Sequence, residues 1–129
     1  MKMRIGSVVA AATVACVGIA CGQAEAEELI EITAADLPAS AGAGPTGAWQ
    51  SVGWDADPWH PYPGRATLIL HHDLGRAPAV VLTYVAFDDT GRGAGLAAGD
   101  MARVIEVADT TVTIRNDTEA DFHCRLVLE

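Results

Sequence analysis

Lysine is almost missing from this chain. Lys2 is the only one in 129 residues, and beyond residue 20 six arginines stand against 17 acidic side chains, a net of −11. A body so poor in cations cannot neutralise a phosphate backbone, which excludes nucleic acid as a partner. Cysteine is as scarce. Cys16 and Cys21 fall in an N-terminal apolar segment, so Cys124 alone is left for the body and no internal disulfide can form there. Serine is down to Ser40 and Ser51 past that segment, and neither lies in G-x-S-x-G. The chain also has no H-E-x-x-H, no paired C-x-x-C and no EF-hand loop. Adjacent carboxylates such as Asp88 and Asp89 cannot oppose each other across a cleft as a glycosidase pair does. These absences predict a protein that is not an enzyme and that needs neither a metal nor a cofactor.

What is present begins with an address. Lys2 and Arg4 precede an uncharged, small-residue-rich apolar run from Ile5 to Ala20. At 16 residues it is shorter than the roughly 20 of a spanning helix, and it reads as an export signal over residues 1–20. Val17-Gly18-Ile19-Ala20-Cys21-Gly22 resembles a bacterial lipobox, with Ala20 and Gly22 in the expected places and Gly18 where a branched residue is usual. The preferred reading makes Cys21 the lipidated first mature residue, anchored in a membrane facing the periplasm or cell surface. The alternative is cleavage after Ala26, within Ala24-Glu25-Ala26, releasing a secreted soluble protein.

Residues 21–46 pass from acidic (Glu25, Glu27, Glu28, Glu31) into Ala-Ser-Ala-Gly-Ala-Gly-Pro-Thr-Gly, a composition that predicts a tether. Leu29–Ile32 fits either a strand or a helical turn. From residue 47 to 129 short apolar runs alternate with Gly, Pro, Asn and Asp, and no segment keeps a helical period over ten residues. Strands are predicted at 48–53, 66–72, 79–87, 102–107, 110–116 and 121–128. Val112 and Ile114 should face inward, as should Phe122, Cys124, Leu126 and Leu128, which makes Cys124 a buried, inert thiol. Six or seven short strands at this spacing predict an all-β fold, an antiparallel sandwich. The run 79–87 is apolar on both faces, so one face needs a further partner. That partner, another subunit in a homo-oligomer, is expected around Val81, Val85 and Phe87 or around Leu82 and Tyr84.

Two stretches carry candidate chemistry. All three tryptophans and Tyr62 fall between residues 49 and 63, interleaved with acids and a histidine. Sugar rings offer C–H faces to aromatic rings and hydroxyls to carboxylates, imidazoles and guanidinium groups. Trp54, Asp55, Asp57, Trp59, His60 and Tyr62 supply both kinds of contact. The second stretch, residues 88–100, has four glycines and no core pattern, the profile of a long loop on a rigid sheet. Asp88, Asp89 and Arg92 are its candidate ligand contacts. Gly93-Ala94-Gly95-Leu96-Ala97-Ala98 fits a dinucleotide fingerprint in letters alone, because no βαβ unit surrounds it. His60, His71, His72 and His123 are scattered, and His71 and His72 would point to opposite faces of a strand.

The segment Thr67-Leu68-Ile69-Leu70-His71-His72-Asp73-Leu74-Gly75-Arg76-Ala77-Pro78-Ala79-Val80-Val81 resembles a piece of phage tail-fibre tips and related small β-sandwiches. Val104–Val107, Thr111–Asn116 and Arg125–Leu128 continue the pattern, which is similar, more distantly, to H-type lectin domains. The end of the final strand, Arg125–Leu128, lacks the tryptophan usual in that family. The resemblance covers residues 66–129 and implies a six-stranded antiparallel sandwich that trimerises and binds sugars. The reading that follows is an exported, lipid-anchored, lectin-like binding module for a cell-envelope or environmental carbohydrate. The alternative is a non-catalytic structural or adhesive envelope protein that binds another protein.

Overall fold

The computed structural model describes residues 8–9, 28–44 and 47–129. The lipidation site expected at Cys21 and the cleavage site after Ala26 lie outside the described residues. Eleven strands run in chain order as β1 (Val8–Val9), β2 (Leu29–Ile32), β3 (Gly42–Ala43), β4 (Trp49–Gln50), β5 (His60–Tyr62), β6 (Thr67–His71), β7 (Val81–Ala86), β8 (Gly95–Leu96), β9 (Arg103–Val107), β10 (Thr111–Arg115) and β11 (Phe122–Leu128). Among the described residues there are also two single 3₁₀ turns, Ala34–Asp36 and Gly99–Met101. The molecule is an all-β sandwich. One sheet has the order β1-β2-β6-β10-β9, and the other β3-β4-β11-β7-β8 with β5 added to β11. Every pairing is antiparallel except β2 with β6, which run parallel.

The period-two pattern decides which face is inside. Leu68 and Leu70 of β6, Val112 and Ile114 of β10, and Ile30 and Ile32 of β2 project from the first sheet into the core. Phe122, Cys124, Leu126 and Leu128 of β11 meet them from the second sheet, with Val85, Trp49 and Tyr62 beside them. Cys124 is fully buried, and that burial pushes its thiol far above the ordinary range. The β10–β11 turn is locked by Asn116, which is also fully buried. Its Nδ2 donates to the carbonyls of Ala120 (2.9 Å), Pro63 (3.0 Å) and Tyr62 (3.3 Å). Its Oδ1 accepts from Thr118 N (2.9 Å) and Thr118 Oγ1 (2.6 Å).

The six strands expected from pattern are β4, β6, β7, β9, β10 and β11; β3, β5 and β8 are pairings of two or three residues that no pattern marks. Of the tether expected over 21–46, the described residues 28–44 are taken into the sandwich. Leu29–Ile32 lies along β6, Gly42–Ala43 along β4, and Ser40 Oγ accepts from Gly53 N at 2.8 Å. Burial of Ile30 and Ile32 outweighs the glycine and alanine content of the segment. The outer face of β7 is covered over Tyr84 and Ala86 by the chain itself. Trp59 packs there on Val52 and Ala86, with Tyr84, Ala56 and Ala94 alongside.

Candidate functional site

The surface formed over the second sheet starts from β4 and β11. Past Gln50 the chain stays clipped to β11, because Ser51 N donates to the Leu126 carbonyl (2.9 Å) and Ser51 Oγ accepts from Leu126 N (2.9 Å). It then crosses the outer face, where Leu82, Tyr84 and Ala86 of β7 stand beside Val127, Arg125 and His123 of β11. Trp59 drops its indole onto that face and is 1 % exposed. Its backbone N donates to the Asp89 carbonyl at 2.8 Å. Gly91, at φ +77°, lies against the indole so closely that a Cβ there would overlap the ring. Trp59 thus joins the two stretches singled out in sequence, residues 54–62 and 88–92, into one corner of the molecule.

Trp54 is the exposed element of this corner, at 50 %. The Arg125 guanidinium carbon sits 4.7 Å from the Trp54 ring centroid and 5.6 Å from that of Tyr84. Tyr84 and Trp59 meet Trp54 edge to face, with centroids at 5.1 Å and 5.8 Å. Arg125 is itself held from below. Its Nε donates to the Val52 carbonyl (2.9 Å) and its Nη2 to Gln50 Oε1 (2.7 Å). The indole is therefore a stiff platform on a fixed cation, and Asp55 and Asp57, which follow it in the chain, are exposed.

The nine candidate residues separate by burial. Trp54, Asp55, Asp57, Asp88, Asp89 and Arg92 are at the surface, whereas Trp59, His60 and Tyr62 are inside. The last three are packed away from solvent, and pairing of β5 with β11 turns His60 and Tyr62 inward. His60 Nε2 donates to the Ser51 carbonyl at 3.2 Å, and Tyr62 Oη to the Met101 carbonyl at 2.8 Å. Burial pushes the Tyr62 phenol up beyond its ordinary range. Asp88 is held below the usual carboxylate range by the Thr90 hydroxyl and amide, with Arg92 adding to the effect. Burial lowers the His123 imidazole, while the charges of Asp89 and Asp88 act in the other direction. Trp59 Nε1 and His123 Nδ1 are buried and have no hydrogen-bond partner among the described residues. Tyr84, Arg125 and Gln50 belong to the platform and were missed in sequence. The signal for them lay in the alternation of β7 and β11, which places Tyr84 directly opposite Arg125.

A second concavity, a cleft of about 270 Å³, opens beside Leu37, Pro38, Trp49, His71, His72 and Asp73. Its polar side chains already have partners. Trp49 Nε1 donates to Asp73 (2.7 Å), His71 pairs with Glu31 (2.7 Å), and His72 binds the Ala108 carbonyl (3.1 Å). The Trp54 platform is the better candidate because its apolar surface is exposed and its flanking carboxylates face solvent. Among the described residues no group of three or more His, Cys, Asp or Glu side chains could hold a metal ion, and no helix is long and apolar enough to cross a membrane. No protein-family model, curated protein or solved structure matches the chain.

Proposed function

We propose that this protein is an exported, lipid-anchored module that binds a carbohydrate of the cell envelope or environment, without catalysing a reaction. The observation that carries the reading is the Trp54 platform. A half-exposed indole is fixed by Arg125, Tyr84 and Trp59, and the exposed Asp55 and Asp57 follow it in the chain. Carbohydrate rings present C–H faces that an indole covers without directional demands, and their hydroxyls are donors for carboxylates. Rigid aromatic anchors lose little conformational entropy on binding, so such a surface retains most of its contact energy. The resemblance of residues 66–129 to H-type lectin domains supports the same class of ligand.

A glycan array probed with the Cys21→Ser full chain tests the reading. Binding is expected, and Trp54→Ala should weaken it by about 2 kcal/mol, roughly thirtyfold in Kd. Trp59→Ala would disturb packing and so cannot serve as the diagnostic variant. Silence across the array, or binding indifferent to Trp54, overturns the proposal. The anchor has its own measurement. Cys21→Ser should move the protein from the membrane to the soluble fraction and abolish labelling by a fatty-acid probe.

A further inference from the structure

β9 is the outermost strand of its sheet. One side pairs with β10, and among the described residues no strand pairs with the other. All five of its residues are exposed, including Val104 (45 %), Ile105 (46 %) and Val107 (37 %). Such an edge is a template for another strand, and natural proteins interrupt it with charge or with a bulge. Here both devices are present, but their combination favours one partner. The register shifts between Thr113 and Ile114, so that Glu106 lies opposite Thr113 and Arg103 opposite Arg115. Thr113 and Arg115 belong to the outward face of β10, since Val112 and Ile114 point into the core. The shift therefore places Arg103 and Glu106 on the same outer face.

We infer that β9 pairs antiparallel with β9 of a second copy of this chain, about a two-fold axis between Val104 and Ile105. In that register Arg103 lies opposite Glu106 of the other copy, and Glu106 opposite its Arg103. Val104 lies beside Ile105 on both sides. The two-fold supplies two opposite-charge pairs and two apolar pairs from one strand. Moving the axis by half a residue, onto Ile105, sets Arg103 against Val107 and Val104 against Glu106, an apolar side chain against a charge each time. Charge order thus selects a single register, and the self-complementarity selects a copy of the same strand over a foreign one. Arg103 Nε donates to Asp117 at 2.6 Å, which fixes the guanidinium on the outer side of the sheet.

The test is sedimentation of the Cys21→Ser full chain, taken as the wild type for β9, at micromolar concentration, with charge reversals at exposed positions. The wild type should sediment as a dimer. Arg103→Glu and Glu106→Arg should each weaken the dimer about ten- to a hundredfold, because each sets two like-charge pairs face to face. The double variant carrying both changes restores opposite charges and should recover the wild-type dimer to within a few-fold, with unchanged tryptophan emission in every variant. A monomeric wild type overturns the inference. So does a dimer indifferent to the single reversals, a double variant that stays monomeric, or a monomer whose edge instead captures an unrelated extended peptide.

Discussion

His60 shows how one side chain couples folding to pH. Burial holds its imidazole down to about 4 from an ordinary 6.5, with the Ser51 carbonyl acting against that effect and the neighbouring His123 adding to it. The folded protein therefore favours the neutral ring, while the unfolded chain takes up a proton near 6.5. Stability from this group is complete above that value and is lost as the pH falls towards 4, by up to about 3 kcal/mol. His123, lowered by burial, contributes in the same direction. Asp88 and Asp117 sit below the usual carboxylate range, so their contribution disappears only at still lower pH. Urea melts at pH 7 and pH 4.5 should differ clearly for the wild type and much less for His60→Gln. Equal slopes in the two proteins would remove His60 from the account. Asn116 acts by geometry alone. Asn116→Ala leaves three carbonyls and the Thr118 donors without their partner and should cost about 2–3 kcal/mol, read from the same melts.

At the level of strands and loops, the sequence was legible wherever a pattern persisted for five or more residues. β10 and β11 have the inward faces expected from Val112, Ile114, Phe122, Cys124, Leu126 and Leu128, and β6 turns Leu68 and Leu70 to the same core. β3, β5 and β8 are too short to carry a period, and their pairing depends on neighbours distant in the chain. The same limit applied to the site. Aromatic clustering pointed to residues 54–62, but which rings face solvent depends on β5 joining β11, a contact between residues 60–62 and 122–124. Gly91 is the element-scale test of how the two loops meet. Gly91→Ala forces a methyl into the Trp59 ring in a left-handed backbone and should cost about 1–3 kcal/mol while weakening any ligand binding at Trp54. Gly93 has a similar φ of +73° but open space around it, so Gly93→Ala should cost about 1 kcal/mol or less and spare the site. Matching losses in the two variants would show that backbone conformation, not the ring contact, sets the loop.

For the whole molecule, the segment that composition marks as a tether is a structural member of both sheets. β2 pairs along the full length of Thr67–Leu70, and its Ile30 and Ile32 are 4 % and 6 % exposed. Burying two isoleucines stabilises by about 3–6 kcal/mol, a large share of the roughly 5–15 kcal/mol of a small domain. β3 adds backbone bonds to β4, and Ser40 secures Gly53 at the base of the Trp54 loop. A chain beginning at residue 47 would expose Leu68 and Leu70 along a bare strand edge and free the platform at its root. It should melt more than about 15 °C below a chain beginning at residue 28, if it folds cooperatively at all. The chain from residue 28 keeps β2 and, among the described residues, loses the two-residue pairing of β1, so its melting should stay close to that of the full chain. Calorimetry on the two truncations decides the matter. Coincident melting curves would mean that residues 28–46 lie on the sandwich without supporting it, and the acidic stretch would revert to a tether.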